Sequence, residues 1–349
     1  MSRSFEIAGR PIGPAHPPYV IAELSGNHNG SLDRAVELVR IAKRAGADAV
    51  KLQTYTADTM TIDAPGPEFE IRGGPWSGRR LHELYREAAT PWDWHPRLFE
   101  EGKRLGLTVF STPFDPTAVE LLVSLGAPAM KIASFEATDL PLLAKIAGAG
   151  KPVIMSTGMA DLVEISQAVD ACRAAGNGEL TLLHCVSGYP SSPEEANLRT
   201  IPHMAQTFDC PIGLSDHTLG VATSVAAVAM GACVIEKHFT LARADGGPDA
   251  GFSLEPAELA ELCKSAREAW QALGRIDYGR KQSERGNAIF RRSLYIVRDV
   301  AAGETLTAEN VRSIRPGFGL APKHLPAVLG RVARAPLARG TALKWEHLE

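Results

Sequence analysis

The chain has 349 residues, is 45% hydrophobic and 22% charged, and sets 37 Lys plus Arg against 40 Asp plus Glu for a formal charge of -3. This excludes a disordered or fibrous protein and describes a chain able to bury one large core or two smaller ones. The near balance of charge leaves no global field to hold nucleic acid or an anionic membrane. The longest weakly polar run, Val221 to Ile235, is shorter than the roughly 18 to 20 residues of a membrane span, and Thr223 and Ser224 interrupt it. The opening MSRSFEIAGRPIG has no continuous apolar stretch of a secretory signal, so the expectation is a cytoplasmic protein. Cys172, Cys185, Cys210, Cys233 and Cys263 contain no C-x-x-C pair and read as reduced core thiols, not as a disulfide frame or zinc cage.

From residue 18 to about residue 273, short apolar runs alternate with longer helical patterns, as in successive βα units. The predicted strands are YVIAEL (19–24), AVKLQT (49–54), TVFSTPF (108–114), AMKIASF (129–135), PVIMSTG (152–158), LTLLHCVS (180–187), PIGLSD (211–216) and CVIEKHF (233–239). Each precedes a helix-like segment. After the first strand, Leu32, Ala35, Val36, Val39 and Ala42 recur at helical spacing behind Ser31, an N-cap type of residue. Eight such units in roughly 255 residues predict an α/β fold of the TIM (β/α)8 barrel type. A doubly wound open sheet is the alternative, but no G-x-G-x-x-G turn argues for it.

One connection is long: about 39 residues part the second strand from a helix starting near Trp94. It carries Phe69, Trp76, Tyr85 and Trp92 and reads either as a lid or binding loop, or as a loop stapled to the barrel by its aromatics. After residue 273 the texture changes. Residues 274–289 form a polar, basic linker, and 290–349 shift to short strands and turns, predicting a small β-rich domain whose core is marginal alone. That domain is expected to pack on its own barrel or on a second chain.

Active-site groups of such barrels sit at the C-terminal ends of the strands. Polar residues stand at nearly every one: Glu23; Lys51 and Gln53; Ser111 and Thr112; Lys131, Ser134 and Glu136; Ser156 and Thr157; Ser187 and Tyr189; Ser215 and His217; Glu236 and His238. Burying unpaired Lys or Glu costs several kcal/mol or more, so the set implies a ligand that offsets the cost. For any single residue, a buried network of mutual pairs is the alternative. Lys51 and Lys131 with the hydroxyls of Thr112, Ser134, Ser156 and Ser215 form a set of donors suited to a phosphate with a carboxylate. A Schiff-base lysine is the rival reading. His217 and His238 on adjacent strand ends, with Glu236 nearby, make a divalent metal site with open water positions, accepting Mn, Mg or Co alike. The Gly- and Asn-rich turn of AELSGNHNGS can hold Glu23 tightly, and Asp245 and Asp249 in RADGGPDAGFSLEP are expected to face the same mouth.

With these residues laid out, the chain resembles the sialic acid synthase family, and within it the pseudaminic acid branch. The motifs AELSGNHNGS, DAVKLQTYTADTM, STPFD, KIASFE, IMSTGMA, IGLSDHTLG and IEKHFTLARADGGPDAGFSL occur in order, followed by a part similar to an antifreeze-like (SAF) domain. The resemblance implies metal-dependent condensation of phosphoenolpyruvate with an open-chain acetamido sugar, releasing phosphate and giving a nine-carbon 2-keto acid. It implies that Lys51, Thr112, Lys131, Ser134, Ser156 and Ser215 hold phosphoenolpyruvate, that His217 and His238 bind the metal, and that Glu23 is the acid/base group. Gln53, Glu136, Tyr189, Glu236 and Asp249 fall on the sugar side. Arg315 in SIRPG matches an arginine that the SAF domain offers to the sugar site of a second copy in a domain-swapped homodimer. Sialic acid synthases usually have Asn where this chain has Ser187, whereas AELSGNHNG and ATPWDWH look like the pseudaminic branch. That points to 2,4-diacetamido-2,4,6-trideoxy-altrose as acceptor in place of N-acetylmannosamine. Synthesis of N-acetylneuraminic or legionaminic acid, the same reaction on a different acceptor sugar, is the alternative within the family; a metal-independent Schiff-base aldolase and a non-catalytic sugar-binding protein are the alternatives from other classes.

Overall fold

The structure is a computed structural model that describes residues 4–349. Residues up to Gly274 form one compact unit and Arg275–Glu349 a second. The first unit opens with a hairpin, β1 (Phe5–Ile7) and β2 (Arg10–Ile12), followed by β3 (Tyr19–Glu23), α1 (Leu32–Ala45) and β4 (Ala49–Thr54). The long connection then holds α2 (Ala57–Met60) and α3 (Leu81–Ala88). Next come α4 (His95–Leu105), β5 (Thr108–Pro113), α5 (Pro116–Ser124), β6 (Met130–Ile132) and α6 (Leu140–Ala147). The remaining elements are β7 (Val153–Ser156), α7 (Leu162–Ala174), β8 (Leu180–Cys185), α8 (Thr200–Phe208), β9 (Ile212–Asp216), α9 (Ala222–Ala229), β10 (Val234–His238) and α10 (Pro256–Leu273). Strands β3 to β10 pair in parallel and close into a barrel of eight, β10 lying beside β3. The predicted TIM barrel is therefore the observed fold.

The helices form where the sequence supplies both ends. In α1, the Ser31 side chain accepts from the Arg34 N–H, Gly46 closes the helix at φ 95°, and Ala35, Val36, Leu38, Val39 and Ala42 are buried. The fourth barrel strand is shorter than its sequence predicts, because Ser134–Glu136 leave the sheet as a 3-10 turn.

Side chains alternate along a strand, and the barrel turns this period into depth. Near the strand starts, Tyr19, Ile21, Ala49, Phe110, Ala129, Ile154, Leu183 and Val234 pack as one interior cluster. Two residues further along, the same inward line carries Glu23, Lys51, Thr112, Lys131, Ser156, Cys185 and Glu236. The hairpin had no counterpart in the sequence reading. Its Ile7 and Ile12 join the interior cluster and floor the barrel at the starts of the strands. The larger cluster outside the sheet binds the helices to it.

The second unit contains the antiparallel pair β11 (Ser293–Ile296) and β12 (Val311–Ile314), with the short helix α11 (Leu325–Val328). Its own small core includes Leu294, Ile296, Val300, Leu306, Val311, Val328 and Leu343.

Gly213 on β9 faces Leu183 and Val234 across the barrel wall. A Cβ there would lie 2.4 Å from the Val234 carbonyl oxygen and 2.6 Å from Leu183 Cδ2. Gly213→Ala is expected to cost about 1–3 kcal/mol, measured as a lower midpoint in urea unfolding; an unchanged midpoint would show that the wall yields freely.

Candidate active site

The inward polar line gathers at the C-terminal mouth of the barrel. Lys51 Nζ stands 3.0 Å from Glu23 Oε2 and 3.0 Å from Glu236 Oε1. Lys131 Nζ donates to Ser156 Oγ at 2.6 Å and to the Ile132 carbonyl at 2.8 Å, and lies 3.9 Å from Glu236 Oε1. Ser215 Oγ donates to the same Glu236 oxygen at 3.2 Å. Gln53 Nε2 donates to Glu23 Oε1 at 3.0 Å and to Ser25 Oγ at 3.1 Å. The Ser25 N–H also reaches Glu23 Oε1, and its hydroxyl donates to Asp249. Six predicted residues, Lys51, Lys131, Ser156, Ser215, Glu23 and Glu236, thus meet in one buried network, with Gln53 and Asp249 attached through Glu23 and Ser25.

The two carboxylates of this network differ electrostatically. Burial drives the Glu23 pKa up, with Lys51 opposing. Burial also works against ionised Glu236, but Lys131 and Lys51 outweigh it and pull its pKa down. Burial opposes the charge on Lys51, yet Glu23 and Glu236 overcome it and hold that pKa above the usual range. Burial pushes Lys131 down to about 8. Glu23 therefore takes a proton more readily than Glu236 does, the separation that lets one of two carboxyls act as acid and base.

His217 and His238 stand beside this network with ring centroids 5.5 Å apart. The Val186 carbonyl lies 2.8 Å from His217 Nδ1 and can only accept, so that nitrogen carries a proton; burial opposes charge on the ring, but Cys185, this carbonyl and Glu236 outweigh it and raise the His217 pKa. Burial, with the positive charges nearby, holds the His238 pKa well below 6.5, so the ring is neutral, and its Nδ1 is enclosed without a partner. Two imidazoles sharing one ion at about 2.1 Å put their centroids roughly 5 Å apart, so the 5.5 Å spacing suits a divalent cation, whose binding would displace any second proton on His217. Among the described residues, no group of three or more His, Cys, Asp or Glu side chains is arranged to hold a metal. Water and substrate would complete the coordination.

Several polar atoms at the mouth are buried without partners among the described residues: Thr112 Oγ1, Glu136 Oε2, Ser187 Oγ, Glu236 Oε2 and His238 Nδ1. Such atoms mark where a ligand would bind. Tyr189 lies over His217 at 4.4 Å between centroids and touches Phe252 at 5.3 Å. From the long connection, Trp76 packs on Tyr189 and Phe252 and donates through Nε1 to the Pro248 carbonyl at 2.7 Å. Trp92 Nε1 is bound to the Tyr55 carbonyl and Tyr85 packs on Tyr55, so the loop is both stapled down and leaned across the mouth.

Other predicted residues stand apart from the network. Ser134 Oγ accepts from the Gly158 N–H at 3.1 Å. Glu136 lies on the turn after β6. Asp245, expected at the mouth, is instead paired with Arg34 at 2.7 Å and is 43% exposed, so it is a surface anchor for α1. Arg315 is exposed on the second unit at a cis Arg315–Pro316 peptide. Sequence reasoning passed over Ser25, Cys185 and Phe252. Ser25 alone carried a signal, lying two residues past Glu23 in the same tight turn.

Fold and site together define a (β/α)8-barrel enzyme. The NeuB family model matches residues 38–278 and the SAF domain model residues 291–349. The chain belongs to the NeuB family. It is 41% identical over 337 residues to the pseudaminic acid synthase of Helicobacter pylori, covering 95% of this chain and 98% of that one. To the N,N'-diacetyllegionaminic acid synthase of Legionella pneumophila it is 39% identical over 348 residues, 97% of each. Among solved structures, the N-acetylneuraminic acid (sialic acid) synthetase of Leptospira borgpetersenii in complex with citrate matches with a TM-score of 0.74 and 32% identity, over 82% of this chain and 95% of that one.

Burial raises the Glu136 carboxyl from 4.5 to about 7. Because the folded protein binds this proton more tightly, the contribution to stability is complete below about pH 4.5, declines as pH rises, and is gone above about pH 7. Glu136→Gln removes the slope and should gain roughly 2–3 kcal/mol on the parent between about pH 4.5 and about pH 8, read from urea unfolding. Parallel profiles for the two proteins would contradict the shift.

Proposed function

We propose that this chain joins phosphoenolpyruvate to 2,4-diacetamido-2,4,6-trideoxy-altrose with water, giving the nonulosonic acid and phosphate, which is the reaction of a pseudaminic acid synthase. The observation that carries it is Glu236: one carboxylate lies within 4 Å of both lysines, on the strand that ends in His238. That arrangement supports an anion site and a metal site at one mouth. The H. pylori relative supports the altrose acceptor; the legionaminic relative makes a different diacetamido sugar the second reading.

In this reading Lys51 and Lys131, with the hydroxyls of Thr112, Ser134, Ser156 and Ser215, hold the phosphate and carboxylate of phosphoenolpyruvate once water is excluded. His217 and His238 would hold the divalent cation, which when bound supplies Lewis-acid polarisation of the acceptor's aldehyde oxygen. Tyr189, Gln53, Glu136 and Asp249 line the acceptor side. After carbon–carbon bond formation the former enol carbon is electron-poor, and Glu23, steadied by Gln53 and the Ser25 N–H, takes the proton of the water that adds there. The adduct then breaks its carbon–oxygen bond to phosphate as its new hydroxyl loses a proton and becomes the keto group; the proton held by Glu23 passes to the former aldehyde oxygen, the second leaves with phosphate, and the lysines receive the leaving charge.

The reading extends to a homodimer in which Arg315 serves the sugar site of a second copy; its exposed side chain, without an ion-pair partner among the described residues, supports this. All five cysteines are free and buried, which suits a reducing cytoplasm.

Phosphate release from phosphoenolpyruvate with a panel of acetamido sugars, together with product mass, tests the proposal. Turnover is expected with the altrose derivative, lost with EDTA, restored by Mn, Mg or Co, and reduced at least about 100-fold in His217→Ala. Oxygen from labelled water should enter the keto acid. Label in the phosphate, or borohydride trapping of a lysine adduct, would reject the mechanism, and sugar binding without phosphate release would reject the enzyme.

A further inference from the structure

The interior of the mouth accounts for every second residue of β9 and β10. The residues between them face outward and should be apolar, since α9 and α10 pack there. Two are not. Asp216 and Lys237 are cross-strand neighbours, both side chains 1% exposed, with Lys237 Nζ 2.9 Å from Asp216 Oδ2. Each immediately precedes a predicted metal ligand, His217 and His238.

We propose that the Asp216–Lys237 pair is a positioning device that fixes the spacing of the two imidazoles and so sets the affinity for the divalent cation. The inference rests on the reading of those imidazoles as the metal ligands. Asp216 accepts from the Thr218 N–H at 2.9 Å and the Thr218 hydroxyl at 2.8 Å, and from Ser224 Oγ of α9 at 2.5 Å. Lys237 donates to the Thr218 carbonyl as well. The backbone on both sides of His217 is therefore tied to one carboxylate, and through Lys237 to the residue before His238. His217 has a further brace in the Val186 carbonyl, but neither ring nitrogen of His238 has a hydrogen bond among the described residues. Apart from ring contacts with Phe252 and Tyr189, the aim of His238 thus depends on its backbone, and its backbone on this tie.

The ion pair by itself is a weak source of stability. Removing two charges from water costs several kcal/mol per ion, and apolar replacements of similar volume are often neutral or stabilising. A role in geometry does explain it, as with the groups behind metal-bound histidines whose loss weakens binding 10–100-fold.

The test is Mn2+ titration of the full-length, metal-free protein by calorimetry. Subjects are the parent, Asp216→Leu/Lys237→Met, Asp216→Asn, Lys237→Arg and His217→Ala. The double variant should bind Mn2+ about 10–100-fold more weakly, with Lys237→Arg keeping more of the affinity. Its turnover should return at saturating Mn2+ with an unchanged KM for phosphoenolpyruvate. Asp216→Asn, which keeps one acceptor oxygen for Thr218 but turns an amide donor toward Ser224 and Lys237 and so lacks the ion pair, should lose affinity too, and it decides the matter if the double variant does not fold. Parent-like Mn2+ affinity in the folded variants overturns the inference. If His217→Ala also binds Mn2+ like the parent, the metal reading itself fails; if only His217→Ala loses it, the positioning role alone fails.

Discussion

Everything at the mouth depends on the two-residue period of a strand held in a closed barrel. Because the sheet has no free edge and no slack in register, the residue two places beyond a buried Ile or Ala must also point inward. Ile21 is followed in this way by Glu23, Ala49 by Lys51, Phe110 by Thr112, Ala129 by Lys131, Ile154 by Ser156 and Val234 by Glu236. A slip of one residue in any strand would turn its functional group outward into the helix layer and an apolar side chain into the mouth. The stability of the lower layer thus guarantees the geometry of the upper one.

Packing so many ionisable groups together is tolerable because they neutralise one another. Glu23 and Glu236 face Lys51 and Lys131, and neither lysine is left without a carboxylate within 4 Å. The neutrality is approximate by position, and this is what separates the two carboxyls. Glu236 lies between two ammonium groups, while Glu23 meets one together with the neutral donors of Gln53 and Ser25. Neither pKa belongs to its residue type; each is a property of where the strands put the nitrogens.

Much of this was legible in the sequence. The β-branched runs marked all eight barrel strands, and the polar residues closing them marked the mouth. What was not legible has physical reasons. The hairpin turns on Ala8 and Gly9, both with positive φ, and Ala in that place gives none of the usual Asn-Gly signal. Helix α3 lies in a Gly- and Pro-rich stretch and buries only Leu84 and Ala88, a weak apolar pattern. Asp245 and Asp249 share one loop, and nothing in their spacing tells that Arg34 draws the first outward while Ser25 holds the second in. Asp216 and Lys237 were visible as polar residues inside strands; reading only the inward positions hid them.

The hairpin gives the barrel a floor, and a floored barrel is a cup, not a tube. Whatever occupies it must come and go over a single lip, the one on which Trp76 leans toward Tyr189 and Phe252. Admission and discharge therefore cannot be separated in space, only in time, and the aromatic loop is the natural place for that timing to be kept.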